Sequence, residues 1–301
     1  MAGGVILFCV GATKAGTSWL YRYLHDHPDC RLRSIKELHY FDTVDTADFD
    51  TQFETWARLR RDLDGRLAGL GEGQHWRRAN LRRQLDDLDE LEGVLRLAQS
   101  GEAAAADAAY LAYLQRGEGA ERLAADITPG YALLSVERLS MMARLSPAVR
   151  VLYLMRDPVE RLWSHVRMQA TRQQRPGEEV EVKSKRILNR VCKRGLETHI
   201  PARGDYRGTI ERLQAAVPAG QLMVEFSERL LTETGLRRLC AFLGIGYRPA
   251  DTGARAHEGV KVSIAPGSKR QAQDFLEPQY AYVAQNFGPL PERWQANWMG
   301  A

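Results

Sequence analysis

The sequence predicts an α/β fold in which a mostly parallel central sheet is flanked by helices. Apolar runs of strand length occur at residues 5–10, 149–155 and 221–226, and such runs are typical of strands buried on both faces. Helical patterns separate them, and alternation of strands with helices indicates a parallel sheet. A length of 301 residues suits one large domain. We therefore assign residues 1–301 to a single domain.

The first predicted strand leads into a loop of small residues and then into a helix. Gly11 ends the strand and Thr17 begins the helix. A loop of this kind at a helix N-terminus is a phosphate-binding element, although an ordinary strand-to-helix turn is the alternative. Gly11 and Gly16 have the spacing of the glycines in nucleoside-triphosphate loops, but the lysine that follows the second glycine there is replaced by Thr17. The lysine lies at Lys14 instead, which favours a shorter anionic group than a triphosphate.

Residues 34–42 are predicted to be extended. Strand side chains alternate between faces, so Glu37, His39 and Phe41 would share one surface. A carboxylate beside an imidazole is a candidate proton-transfer pair. A capped loop with an incidental histidine is the alternative.

Residues 49–122 are predicted to form a helical excursion from the sheet. Leucines at helical spacing mark residues 81–95, and residues 103–114 are rich in alanine. A further strand is predicted at residues 124–127, followed by a helix at 135–145. The excursion is expected to pack on the sheet rather than to form an independent domain.

The clearest predicted strand, residues 149–155, ends in Arg156-Asp157-Pro158. Proline suits the first turn of a helix, so Arg156 should lie at the C-terminal edge of the sheet, where ligands of open α/β sheets bind. The basic segment 172–204 is predicted to be a partly mobile region near the site. The remaining helices are predicted at residues 206–216, 234–243 and 271–286.

Composition narrows the class of protein. The formal charge of +4 is modest and does not argue for nucleic acid as a partner. Cys9, Cys30, Cys192 and Cys240 lack metal-ligand spacing, so we expect reduced thiols and no metal site. No apolar run approaches the ~18 residues of a membrane span. The first strand begins almost at Met1 and leaves no room for a signal peptide, so we expect a cytoplasmic protein.

Two separated motifs resemble those of the sulfotransferases that use 3′-phosphoadenosine 5′-phosphosulfate (PAPS). Residues 11–19, Gly-Ala-Thr-Lys-Ala-Gly-Thr-Ser-Trp, resemble the 5′-phosphosulfate loop of that family. Residues 156–164 resemble its 3′-phosphate site, in which an arginine and a serine eight positions later hold the phosphate. Arg156 and Ser164 keep that separation. The resemblance implies the P-loop-NTPase-like sulfotransferase fold, PAPS as donor, 3′-phosphoadenosine 5′-phosphate (PAP) as product, and no metal.

The resemblance also implies roles for individual residues. Lys14 and the backbone amides of residues 15–18 would hold the 5′-phosphate, and an aromatic side chain at Trp19 would stack on adenine. A C-terminal loop would close over the donor, with Lys261 as the first choice and Lys269 as the second. The residues assigned to donor binding are Lys14, Ala15, Gly16, Thr17, Ser18, Trp19, Arg156, Ser164 and Lys261.

Residues 37–42 resemble the segment that supplies a catalytic glutamate in the carbohydrate-modifying branch related to heparan sulfate enzymes. Residues 126–131 resemble the next motif of that branch, but Ile127 stands where many members carry lysine, so the acceptor need not be a heparan-like chain. Sulfuryl transfer should depend on positioning and electrostatic stabilisation. Lys14 would neutralise the departing phosphate and Glu37 would take the acceptor proton, with His39 sharing that task or orienting the substrate.

The predicted function is transfer of a sulfuryl group from PAPS to a hydroxyl, or an amine, of a sugar, glycolipid or small alcohol. One alternative is a P-loop nucleotide kinase or NTPase in which Asp157 binds magnesium. The other is a non-catalytic nucleotide-binding protein that kept the loop and lost the chemistry. The sequence leaves the acceptor and the oligomeric state open.

Overall fold

The computed structural model describes residues 4–116, 122–250 and 262–298. Its sheet is parallel throughout, with the strand order β2-β3-β1-β4-β5. The strands are β1 (Val5–Gly11), β2 (Cys30–Leu32), β3 (Leu123–Asp126), β4 (Val149–Met155) and β5 (Leu222–Phe226). The predicted α/β class with a parallel central sheet is confirmed. The short strand β2 was not predicted, because three residues carry no readable period.

Helices cover the sheet and form the excursion. The helices before β4 are α1 (Thr17–His25), α2 (Tyr40–Thr46), α3 (Phe49–Ala68), α4 (His75–Gln99), α5 (Ala103–Gln115) and α6 (Val136–Ala143). Those after β4 are α7 (Pro158–Arg172), α8 (Val180–Arg194), α9 (His199–Ala202), α10 (Tyr206–Ala216), α11 (Ser227–Leu230), α12 (Glu233–Leu243), α13 (Pro266–Phe287) and α14 (Glu292–Asn297). The excursion corresponds to α3, α4 and α5, with Leu81, Leu88, Leu91 and Leu95 buried.

The adjacent strands β1 and β4 form the centre of the core, and their C-terminal ends carry the two phosphate-type motifs. Nearly every side chain of both strands is buried, as expected for a parallel sheet covered on both faces. Gly11 ends β1 against the ring of Tyr153, and a Cβ on Gly11 would come within 2.6 Å of that ring. Glycine is therefore required where β1 turns into the loop.

One prediction about local structure is wrong. Residues 34–42 are not extended, because Glu37 and His39 have left-handed backbones with φ of 62° and 53° and α2 begins at Tyr40. Phe41 is buried in the core instead of sharing a surface with the other two. The basic segment 172–204 contains α8, which buries an apolar face.

Across the three described ranges, no helix combines the length and the apolarity that crossing a bilayer requires. Cys9, Cys30 and Cys240 are buried and Cys192 is half-buried, all as free thiols.

Candidate active site

The loop between β1 and α1 presents backbone N–H groups at the C-terminal edge of the sheet. The amide of Ala15 is engaged, because it donates to the carbonyl of Ala12 over 3.0 Å, so the predicted phosphate contact through it does not fit. Within the described residues, the amides of Gly16, Thr17 and Ser18 have no hydrogen-bond acceptor. They lie at the positive end of the α1 dipole, where anions bind.

Contacts from outside the loop hold it in shape. The hydroxyl of Ser227, at the start of α11, donates to the carbonyl of Ala15. Gly16 has a φ of 92°, in the region that favours glycine. The Oγ1 of Thr13 is buried and has no partner among the described residues. An orphaned hydroxyl beside free amides fits a loop that is completed by a ligand.

Lys14 extends from this loop into a cluster of positive charge. Burial lowers the pKa of its ammonium, and the charges of Arg156, Arg172 and Arg167 lower it further, whereas the charge of Glu37 opposes them. The sequence separates these residues by up to 158 positions, and the fold brings them to one edge of the sheet. Lys14 is therefore close to both the predicted 3′-phosphate site and the predicted base.

Arg156 lies just beyond β4, where it was predicted. Its Nη1 donates to the carbonyl of Lys14 over 3.3 Å, and its Nη2 lies 3.1 Å from Glu160 Oε2. The hydroxyl of Tyr206 accepts from the amide of Arg156 over 3.2 Å and donates to its carbonyl. Tyr206 thus fixes the backbone that presents the guanidinium. Sequence reasoning missed this residue, since nothing local links α10 to β4.

Ser164 lies on α7, one turn after Glu160 and on the same helix face. The indole Nε1 of its neighbour Trp163 donates to the carbonyl of Val262 over 2.8 Å. The described chain after residue 261 therefore returns beside the predicted 3′-phosphate site. Lys261 itself lies outside the described residues, and Lys269 lies near the start of α13.

The predicted stacking of Trp19 on adenine stays a prediction. Its ring is only 8 % exposed and stacks on Tyr23, with ring centroids 5.5 Å apart and planes 6° from parallel. The ring belongs to the buried cluster under α1.

Glu37 and His39 form a charged group with their neighbours. Glu37 Oε1 pairs with Lys36 Nζ, and Glu37 Oε2 lies 3.8 Å from His39 Nε2. His39 Nδ1 lies 2.7 Å from Asp42 Oδ2. Burial opposes ionisation of both groups, but these partners outweigh it, lowering the pKa of Glu37 to about 2 and raising that of His39 to about 9. At neutral pH the carboxylate is ionised and the imidazole is protonated.

A buried carboxylate at the end of β3 supports this group. Asp126 accepts hydrogen bonds from the hydroxyls of Tyr110 at 2.7 Å, Thr128 at 2.6 Å and Tyr131 at 2.8 Å. The hydroxyl of Tyr131 in turn accepts from the amide of Tyr40 over 3.1 Å. The network ties the start of α2, and with it the residues just before it, to the sheet.

Because Gly130 has no side chain, Asp42 and His39 can lie close to the backbone that follows β3. A Cβ there would come within 2.8 Å of Asp42 Oδ2 and 3.3 Å of His39 Cε1. Ile127, where many carbohydrate-modifying relatives carry lysine, is buried in the core. The structure thus places no cation at position 127, and the cation beside Glu37 is Lys36.

The three residues predicted to be catalytic each have a strained backbone conformation. Lys14, Glu37 and His39 have φ of 72°, 62° and 53°. Among described non-glycine residues, only Ala47 and Glu197 also have a positive φ. Such conformations cost on the order of 1 kcal/mol or more each and cluster at functional sites. Their coincidence at this edge of the sheet supports a site built for chemistry.

Asp157 does not suit the magnesium role of the NTPase alternative. It is fully buried and caps α7, with its Oδ1 accepting from the amide of Glu160 at 2.9 Å and from Asn297 at 3.0 Å. Its Oδ2 accepts from the hydroxyl of Tyr280 at 2.7 Å. Both oxygens are therefore committed to the fold. In the described part of the chain, no three His, Cys, Asp or Glu side chains cluster as metal ligands would.

Comparison with known proteins decides the family. A sequence model of the family described as "Sulfotransferase family" matches residues 7–249, which is most of the chain. The chain belongs to the sulfotransferase family. As a sulfotransferase, it is similar in fold to a sulfotransferase from Alicyclobacillus acidocaldarius, with a TM-score of 0.60, 20 % identity, and 98 % of this chain and 99 % of that chain covered.

A second solved structure, the sulfotransferase domain from the curacin biosynthetic pathway, aligns with a TM-score of 0.43, 14 % identity, and 99 % and 96 % of the two chains covered. No curated protein sequence matches this sulfotransferase significantly. The predicted family and its fold are confirmed, and the enzyme is one of sulfuryl transfer. The carbohydrate-modifying branch stays a prediction.

Proposed function

We propose that this sulfotransferase moves the sulfuryl group of PAPS to a hydroxyl, or an amine, of a sugar, glycolipid or small alcohol, and releases PAP. One observation carries the proposal: two cationic positions, Lys14 with its free loop amides and Arg156, lie side by side at the ends of adjacent strands. A nucleotide phosphorylated at both its 5′ and 3′ positions would bridge them. The orphaned hydroxyl of Thr13 supports a ligand in the loop.

In this proposal the donor binds by its two phosphates. The amides of Gly16, Thr17 and Ser18 would hold the 5′-phosphate, and Arg156 with Ser164 would hold the 3′-phosphate. Lys14 would neutralise the charge that develops on the leaving phosphate as the bond to sulfur breaks. No covalent enzyme intermediate is required, since the acceptor attacks the sulfur directly.

Glu37 would accept the proton of the attacking group. It is the better base of the two candidates, because Glu37 is ionised at neutral pH whereas His39 is already protonated. The protonated His39, held by Asp42, would keep the carboxylate in place. Lys36 must release Glu37 Oε1 when an acceptor arrives, because the paired carboxylate is a weak base.

The two phosphate sites can be tested by comparing PAP with adenosine 5′-phosphate, which lacks the 3′-phosphate. Each charge-assisted hydrogen bond from Arg156 should contribute about 1.5–3 kcal/mol, so Arg156→Ala should weaken PAP binding by roughly 10–100-fold. Binding of adenosine 5′-phosphate should change much less. Isothermal calorimetry measures both, with Arg207→Ala, an exposed arginine of α10, as a matched control.

Three outcomes would count against the proposal. If Arg156→Ala bound PAP as tightly as the parent, the 3′-phosphate site would lie elsewhere. If the protein hydrolysed ATP with magnesium, the NTPase alternative would return. PAP binding without turnover on any acceptor would favour the non-catalytic alternative.

A further inference from the structure

A buried arginine on α7 has no counter-ion among the described residues. Arg161 is 1 % exposed, and its Nη2 donates to the carbonyl of Ile200 over a long 3.3 Å. Its Nη1 is buried without a hydrogen-bond partner, and so is the Nδ1 of His165, one turn further along the helix. Among the described residues, no carboxylate forms a salt bridge with Arg161. A buried guanidinium left in this state is costly, because its lost hydration is not replaced.

The charges around this pair are positive. Burial lowers the pKa of His165 to about 3, and Arg161, Arg203, His199 and Lys14 all act in the same direction. The imidazole is therefore neutral at physiological pH, and its Nδ1 can donate a hydrogen bond. Burial also lowers the pKa of the Arg161 guanidinium. The group combines excess positive potential with unused N–H donors, which is the requirement for binding an anion.

The segment that carries α9 covers the pair, and both side chains are 1 % exposed. Gly204 packs on the guanidinium, where a Cβ would come within 2.2 Å of Arg161 Nη2. The ring of His199 lies 6.0 Å from that of His165 and is 45 % exposed. Glu197, the carboxylate of this segment, is 3.0 Å from Arg190 and 3.9 Å from His199. His199 and the half-buried Arg203 thus form the rim between the buried donors and solvent.

The position of this group separates it from the predicted donor site. Glu160 and Ser164 share one face of α7, on the side of Arg156. Arg161 and His165 follow them by one residue each, so they project about 100° further around the helix. The charge of Lys14 still reaches His165. The unpaired donors therefore flank the reaction centre on a side that the two nucleotide phosphates do not use.

We propose that Arg161 and His165, with His199 and Arg203 at the rim, bind a compact oxyanion carried by the acceptor: a carboxylate, sulfate or phosphate group. The site would select anionic acceptors and orient them toward Lys14. This inference rests on the proposed function, because it takes the donor to fill the neighbouring phosphate sites.

Inorganic sulfate and acetate are suitable probes, titrated into the protein with and without saturating PAP. Sulfate should raise the thermal midpoint of the PAP-saturated protein saturably. His199→Ala and Arg203→Gln, which alter only the rim, should weaken the fitted sulfate affinity at least fivefold while leaving PAP affinity unchanged. Arg207→Ala serves as the control for loss of one positive charge. Arg161→Met tests the centre of the site, and the rim variants remain informative if it does not fold.

Two results would overturn the inference. If sulfate stabilised the parent and both rim variants equally, His199 and Arg203 would not contribute to an anion site. If PAP displaced the sulfate, the sulfate would be bound in the donor site. A response to acetate as well as sulfate would indicate a general oxyanion site, and a response to sulfate alone would restrict the site to tetrahedral oxyanions. PAP affinity is measured separately by calorimetry, so absence of PAP binding would count against the proposed function and not against the anion site, which the titration without PAP still detects.

Discussion

Replacement of His39 by asparagine should remove a pH dependence of stability that the parent protein shows above neutral pH. The hydrogen bonds of His39 to Asp42 and Glu37 outweigh burial and raise its pKa to about 9. In the unfolded chain histidine titrates near 6.5. Asparagine is the suitable replacement because it tolerates the left-handed backbone of this position.

The sign and size of the effect follow from these two pKa values. Because the folded-state pKa is the higher one, the protonated ring stabilises the fold fully below pH 6.5, and this contribution is lost as the pH rises through 9. Between those limits the free energy of unfolding falls by about 1.4 kcal/mol per pH unit. The ring is 27 % exposed, so solvent screening reduces the total change between pH 7 and 8.5 to roughly 1–2 kcal/mol.

Two other shifted groups, Asp157 and His165, titrate mainly outside this window. Asp157, whose pKa burial raises to about 6, and His165, lowered to about 3, complete most of their titration below neutral pH. Urea denaturation at several pH values, followed by circular dichroism, gives the slope of stability against pH for parent and variant. His25→Asn, at an exposed surface pair with Asp26, should keep the parental slope. If the parent and His39→Asn showed equal slopes of stability against pH, His39 would not be held protonated by Glu37 and Asp42, and the reasoning would be refuted.

The remaining predictions concern turnover. Glu37→Gln should lower kcat by roughly 10²–10⁴-fold with PAP affinity nearly unchanged; parental turnover would place the base elsewhere. Lys14→Met should lower kcat by about 10²–10³-fold through lost stabilisation of the leaving phosphate, and an effect on KM alone would argue against that role. Gly130→Ala should displace Asp42 and lower kcat about tenfold or more, whereas Gly220→Ala, whose Cβ meets nothing within 4 Å, should be silent. Steady-state kinetics checks all three, and an active Gly130→Ala enzyme would show that Asp42 does not position the imidazole.

Part of the site could be predicted from the sequence, in one case for the wrong reason. Glu37 and His39 were expected to meet because strand side chains alternate, and they do meet, but on two left-handed residues before α2. A left-handed backbone leaves no periodic signal, so the pattern suggested a strand. Asp42 belongs to the same motif and lies three positions after His39, a spacing that would have suggested the contact if a helix start had been assigned there.

The burial of Trp19 could not be predicted from the motif, because which face of α1 meets the core depends on how the helix packs. Ser227 and Tyr206, which fix the loop and Arg156, carried no local signal at all.

The sequence by itself determined the parallel sheet, the glycine-bounded loop between β1 and α1, and the position of Arg156 at the end of a strand. These features depend on a few neighbouring residues: apolar runs, a glycine where β1 ends and a proline where α7 begins. They act through burial and local sterics, so they can be recognised in a short stretch of sequence. Only the tertiary structure decided which groups face one another across the sheet edge. The strand order β2-β3-β1-β4-β5 brings Asp126 beneath the residues that precede α2 and sets Lys14 beside Arg156. Those contacts join residues far apart in the chain, and long-range pairing of that kind has no signature in any local pattern. The same holds for Arg161, which the packing of α7 against the segment that follows α8 buries away from every carboxylate in the described part of the chain.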